Sequence, residues 1–192
     1  MNRLLHRRKR YTRTAHGAHR GMTMIELLIA MTVLAVGMGG MIIVFATAIG
    51  GNSRSKTDTT GTMLAQTVLE RIAAQPANAA ANITIQDCNP AGGVNWTIAT
   101  APGGAAMSAL DPASIDWTQA YNAVPANYKM QFVACGSNGR QLAYDVRWNV
   151  VALTANSRLI TVSARPAPAG GNSAGQVLTY AVPITLRGIG GV

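Results

Sequence analysis

From Leu27 to Gly51 the chain carries no charged residue, and this stretch exceeds the roughly 20 residues that a helix needs to cross a bilayer. Beyond it the residues become polar while a helical period persists. Leu64, Val68 and Ile72 fall four apart with Leu69 beside them, and Gln66, Glu70 and Gln75 lie mostly off that stripe. Pro76 disfavours helical geometry at Gln75, so the pattern predicts one helix from Met22 to about Ala74, a rod on the order of 80 Å long at 1.5 Å per residue. A rod of this length is a stalk rather than a core element. The period then drops to two. Val94, Trp96 and Ile98 alternate with Asn95, Thr97 and Ala99, and Tyr128, Met130 and Phe132 with Lys129, Gln131 and Val133. The clearest strand sets Leu142, Tyr144, Val146, Trp148 and Val150 against Ala143, Asp145, Arg147 and Asn149. GSNGR at 136–140 and TANSR at 154–158 supply hairpin turns, the second leading into Leu159 to Ala164. A last strand runs near Gln176 to Arg187, with Pro183 marking an edge or a bulge. Residues 101–127 and 166–175, rich in Pro, Gly, Ala and Asn, read as loops, the first holding a short helix behind the Asp111-Pro112 cap. The fold class is α+β: a long N-terminal helix, transmembrane and then amphipathic, packed on a mostly antiparallel β-sheet head.

Charge adds a third segment. The 192 residues carry a formal charge of +9, which invites a nucleic-acid reading until its position is noted. Arg3, Arg7, Arg8, Lys9, Arg10, Arg13 and Arg20 precede Gly21 with no acid among them, which leaves nine basic residues against all seven acids, a balance of +2, for the remainder. The expected organisation is a basic leader over 1–21, the helix over 22–75 and a β-rich head over 76–192. Dense basic residues before the apolar run and only Arg54, Lys56 and Arg71 soon after it predict the N-terminus inside the cell and the head outside.

Chemistry-bearing residues are sparse in the head. His6, His16 and His19 all lie in the leader, which weighs against Ser-His or Cys-His catalysis and against a histidine-containing zinc site downstream. Asp111 and Asp116 are close in sequence, but one reads as a cap and the other as loop, with no base or metal cluster beside them. No enzyme and no cofactor is expected. Cys88 and Cys135 are the two cysteines; outside the cytoplasm a single disulfide is their natural pairing, with two buried thiols as the alternative. A loop of that length closed by a disulfide stabilises by about 4 kcal/mol in the chain-entropy model.

One charge stands at the entrance of the apolar run. Glu26 follows Gly21 by five positions, and an acidic residue at the centre of a membrane helix costs about 2.5 to 3.5 kcal/mol on translocon scales. It calls for a partner. A basic leader ending in Gly21, hydrophobic Met22, Glu26 at the fifth place and a long charge-free helix together resemble the type IV pilin and type II secretion pseudopilin family, and most closely its minor pilins of the V type. The resemblance covers residues 1 to about 76. It implies cleavage after Gly21 by a prepilin peptidase, N-methylation of Met22, and pairing of Glu26 with the freed amine of a neighbouring subunit in a helical filament. The implied partners are other pilins or pseudopilins, the peptidase, an inner-membrane assembly platform with its motor, and lipid before assembly. The implied location is the inner membrane as a single-pass protein, then a surface pilus or a periplasmic filament. Met22 departs from the commoner phenylalanine but keeps the hydrophobic character. Gly37, Gly39 and Gly40 point either to helix packing or to partial melting of the helix in the filament.

Other readings attach to other residues. Ala46-Thr47-Ala48 resembles a conventional signal-peptidase site cutting before Ile49, although the apolar run is longer than a signal core and carries Glu26. Lys129, Arg140, Arg147, Arg158, Arg165 and Arg187 are either solvated strand positions or a stripe for DNA, as in a DNA-binding minor pilin. Asn82-Ile83-Thr84 and Asn95-Trp96-Thr97 fit an N-glycosylation pattern that arises readily by chance. Trp96, Trp117 and Trp148 read as packing residues rather than ligand platforms.

Overall fold

The computed structural model describes residues 21–78, 80–135, 142–167 and 182–191. The order of elements is helix α1 (Met24–Ala73), strands β1 (Asn82–Gln86), β2 (Asn95–Ala99) and β3 (Gly103–Gly104), a 3-10 turn (Tyr121–Ala123), then β4 (Lys129–Val133), β5 (Ala143–Thr154), β6 (Ser157–Ala167) and β7 (Ile184–Gly190). The chain divides into two units, residues 1–49 and 50–192, and α1 contributes to both.

In the first unit α1 is helical without a break across Gly37, Gly39 and Gly40, and every residue from Gly21 to Ile49 is exposed. This part of the helix is long and apolar enough to cross a membrane, and none of it is buried in the chain's own fold.

The second unit follows the predicted stripe. Gly61, Leu64, Ala65, Val68 and Ile72 are the buried residues of α1, packed with Met130, Phe132, Tyr144, Val146, Trp148, Val150, Ile160, Val162 and Ala164. Even-numbered residues of β5 and β6 thus face the helix, as the period of two required. The helix stops where Pro76 stops it, and its last carbonyls are taken up by a side chain from the sheet. Buried Arg158 donates from Nη2 to the Ile72 and Gln75 carbonyls and from Nη1 to the Thr100 carbonyl. Gly188 and Gly190 allow the helix to approach β7 closely, since a β-carbon at Gly190 would lie 2.7 Å from Ala73 Cα.

The main sheet is antiparallel throughout. β5 pairs with β6 along one edge; its other edge is shared by β4, opposite Ala143–Arg147, and by β3, opposite Asn149 and Val150, while β7 pairs with the far side of β6. Gly104 adopts φ +128, and a β-carbon there would meet the Trp148 carbonyl at 2.3 Å, so only glycine lets β3 lie against β5. β1 and β2 form a separate antiparallel ribbon whose Ile83, Ile85, Trp96 and Ile98 close the core. Pro183 precedes β7, the outermost strand beside β6 among the described residues, in line with the expected edge position; the expected start of that strand, 176–181, and the 136–140 turn lie outside the described residues.

Three expectations change, the first being that β3 lies within the predicted 101–127 loop. Asp111 caps a turn and no helix follows, because Ile115 is drawn into a bridge with Met107 and into a small second core with Ala105 and Val124. β6 runs on to Ala167, two residues into a predicted loop; β7 pairs only as far as Ala164, so Pro166 lies beyond the reach of that partner.

Candidate functional site

The first turn of α1 is set by Thr23. Its carbonyl accepts the Glu26 and Leu27 N–H groups at 3.1 and 3.2 Å, and its hydroxyl oxygen accepts the Glu26 N–H at 3.3 Å. Thr23 is therefore the N-cap with Glu26 three places on, the T-x-x-E spacing of a capping box. This signal was present in the sequence and the apolar pattern obscured it. Its consequence is that Gly21, Met22 and Thr23 stay outside the helix, so the Gly21–Met22 peptide lies in non-helical backbone. Glu26 is the one acid of the first turn, at the positive end of the helix dipole. Among the described residues its carboxylate has no ion-pair partner. Met22 is 73% exposed, and the apolar residues after it are exposed on all sides of the helix, so none of the described residues covers this surface. The leader residues before Gly21 lie outside the described residues.

In the head, Cys88 and Cys135 form a disulfide with Cα atoms 5.0 Å apart, joining the end of β1 to the end of β4. Beside it, buried Asp87 gathers both segments: its Oδ1 accepts the Val94 N–H at 2.6 Å and the Asn89 N–H at 3.1 Å, and its Oδ2 the Trp96 Nε1–H at 3.1 Å and the Val133 N–H at 3.4 Å. Burial raises the pKa of this carboxyl, but the N–H groups of Val94, Trp96, Asn89 and Val133 outweigh burial and hold it below the usual aspartate value.

The predicted basic stripe is divided. Arg158 is buried on the helix side of the sheet, and Arg147 is buried on the opposite side, bidentate to Asp145 with its Nη2 at 2.9 Å from Oδ2. The Arg147 guanidinium lies 4.6 Å from the Trp117 ring, whose other close cation is Arg165 at 4.2 Å. Lys129 donates to the Tyr121 carbonyl at 2.8 Å and sits over the Tyr121 ring. Burial, followed by the Asp145 charge and countered by Arg147, pushes the Tyr121 hydroxyl up to about 12. Arg140 is outside the described residues; of the other five cations only Arg187 is exposed. Lys129, Arg147 and Arg165 bind the 105–124 segment to the outer face of the sheet through Trp117, Gln119 and Tyr121.

Asp111 and Asp116 do not converge on a common centre. Asp111 Oδ1 accepts the Ala113 N–H, and Asp116 Oδ1 accepts the hydroxyl and N–H of Thr118, the contacts that lower its pKa most. Among the described residues no group of three or more His, Cys, Asp or Glu side chains is placed to hold a metal ion. Trp148 is fully buried in the core with its Nε1 donating to the Ala99 carbonyl.

With this geometry in place, comparison with protein families assigns residues 17–42 to the prokaryotic N-terminal methylation motif. Residues 17–42 carry the leader motif of type IV prepilins. The motif spans the end of the basic leader, Gly21, Met22, the Thr23 cap, Glu26 and the first turns of the exposed apolar helix. It implies processing by a prepilin peptidase and assembly with other pilins, and a single apolar N-terminal helix is consistent with membrane anchoring. No curated protein and no solved structure matches the chain.

Proposed function

We propose that this protein is a minor pilin or pseudopilin, cut between Gly21 and Met22, methylated at the new Met22 amine, and drawn from the inner membrane into a helical filament by packing of its apolar stem. The supporting observation is the coincidence of the methylation motif with a capped helix whose one early charge, Glu26, stands at the head of a wholly exposed apolar surface. In this reading residues 1–21 are the leader, 22–75 the assembly helix and 76–192 a head facing the periplasm. Cleavage creates an ammonium group at Met22, and opposite charges about 4 Å apart attract by roughly 4 kcal/mol at an effective dielectric of 20. That is enough to offset the cost of holding Glu26 among apolar stems, so the Glu26 of an incoming subunit docks on the amine of one already in place. Assembly platform and motor are the further partners. The presence of Glu26 fits a subunit competent for the shaft.

The test is incorporation of the Glu26→Gln protein into filaments in its own host. The glutamine variant should be produced at the normal level and remain in the membrane fraction. Wild-type incorporation by that variant would refute the docking role.

A further inference from the structure

Among the described residues, the head unit exposes two apolar features. The first is a knob. Leu110 is 99% exposed, yet it stands on a closely bonded loop. Met107 and Ile115 bridge its base and reach into the second core; the Ser108 N–H donates to the Ser114 carbonyl, and the Ser114 N–H to the Asp111 carbonyl. The Ser108 hydroxyl oxygen accepts the N–H groups of Leu110 and Asp111, and Asp111 Oδ1 accepts that of Ala113. A leucine held out to water by a loop with this many internal bonds is preorganised, so its burial in a partner forfeits little conformational freedom.

The second is a row on the sheet. Val151 pairs with Leu159, and Leu159 with Ile189, across β5, β6 and β7. Their neighbours Val150, Ile160 and Gly190 face the helix, so these three side chains share the opposite face. Val151 is 46% and Ile189 71% exposed, with Leu153 also exposed at the adjoining bulge. The charges flanking the two features are opposite: exposed Asp111 follows Leu110, and exposed Arg187 lies two residues before Ile189 on the same face.

We infer that the Leu110 knob of one copy docks on the Val151–Leu159–Ile189 row of a second copy, with Asp111 against Arg187. A knob and a receiving row at different places on one surface make a head-to-tail contact, which closes into a ring or repeats along an open array according to the rotation between copies; in a filament it repeats. The repeat rests on the filament reading above; the contact itself rests on the head alone.

The experiment carries a photo-crosslinking benzoylphenylalanine at position 110 of the full chain, in membranes of cells that also produce a prepilin peptidase, with half of the chain isotopically labelled. Illumination should give mixed-label crosslinks from position 110 to peptides holding Val151, Leu159 or Ile189. D111R should lower their yield about tenfold, and adding R187D should restore it. Crosslinks confined to one chain, to lipid or to another protein, or none at all, would overturn the contact. The N-terminal mass of the same sample separates the two ideas: Met22 at the start without mixed-label crosslinks removes this contact alone, whereas an intact leader with such crosslinks removes the pilin reading alone.

Discussion

The two parts of α1 share one backbone conformation and differ in everything else. From Met24 to Ile49 every side chain is exposed, although nearly all are apolar; from Gly61 to Ile72 the sequence is more polar, yet a stripe of five residues is buried. Apolar content therefore does not decide what a helix buries within its own chain. Periodicity does: a stripe on one face matches one sheet, whereas a helix apolar all round matches lipid or other helices. The earlier part is built for contacts with other molecules and the later part for the head.

This contrast can be broken from the head side first. Arg158→Ala leaves three carbonyls at the end of α1 and at Thr100 without their donor, and should destabilise the detergent-solubilised chain by about 3 to 5 kcal/mol in denaturant unfolding followed by tryptophan fluorescence. Reduction of Cys88–Cys135 should cost about 2 to 4 kcal/mol in the same assay, because it releases the tie between β1 and β4. Asp87→Asn should cost about 1 to 3 kcal/mol, since a neutral amide replaces a carboxylate that accepts four N–H groups. The pH dependence has a definite sign. The folded-state pKa of Asp87 lies below the ordinary aspartate value of 3.8, so its contribution is complete above that value and is lost as pH falls through the depressed pKa. Wild-type stability should fall in that acidic window, and the asparagine variant should show a shallower fall. At the small end, Glu26→Gln and Leu110→Ser touch nothing in the core and should leave head unfolding within about 0.5 kcal/mol of wild type.

Much of the architecture was legible because hydrophobic period and burial coincide. Leu64, Val68 and Ile72 turned inward as their spacing required, and so did Tyr144, Val146, Trp148 and Val150. The rule failed on the other phase of β5. Asp145 and Arg147 alternate as solvent-facing residues should, yet both are buried, since they neutralise each other beneath Trp117 and Tyr121. Those aromatics sit in a segment without periodicity, so no sequence pattern shows where they fold back. Arg158 was obscure for a related reason: its acceptors are carbonyls at Ile72, Gln75 and Thr100, far away along the chain, and carbonyls leave no trace in side-chain pattern. Gly188 and Gly190 read as weak strand residues until the nearness of Leu69 and Ala73 explains them. At the N-terminus the leader, Gly21 and Glu26 were visible as a spacing, while the Thr23 cap required the T-x-x-E pattern to be read across the start of an apolar run.

In the proposed function, cleavage just ahead of the Thr23 cap frees the stem for assembly. The most direct measurement is the intact mass and N-terminal fragment spectrum of the protein recovered from membranes of cells with an active prepilin peptidase. It should begin at Met22 with one methyl group on the α-amine. A chain that still begins at residue 1, or one that begins at Ile49, would contradict it.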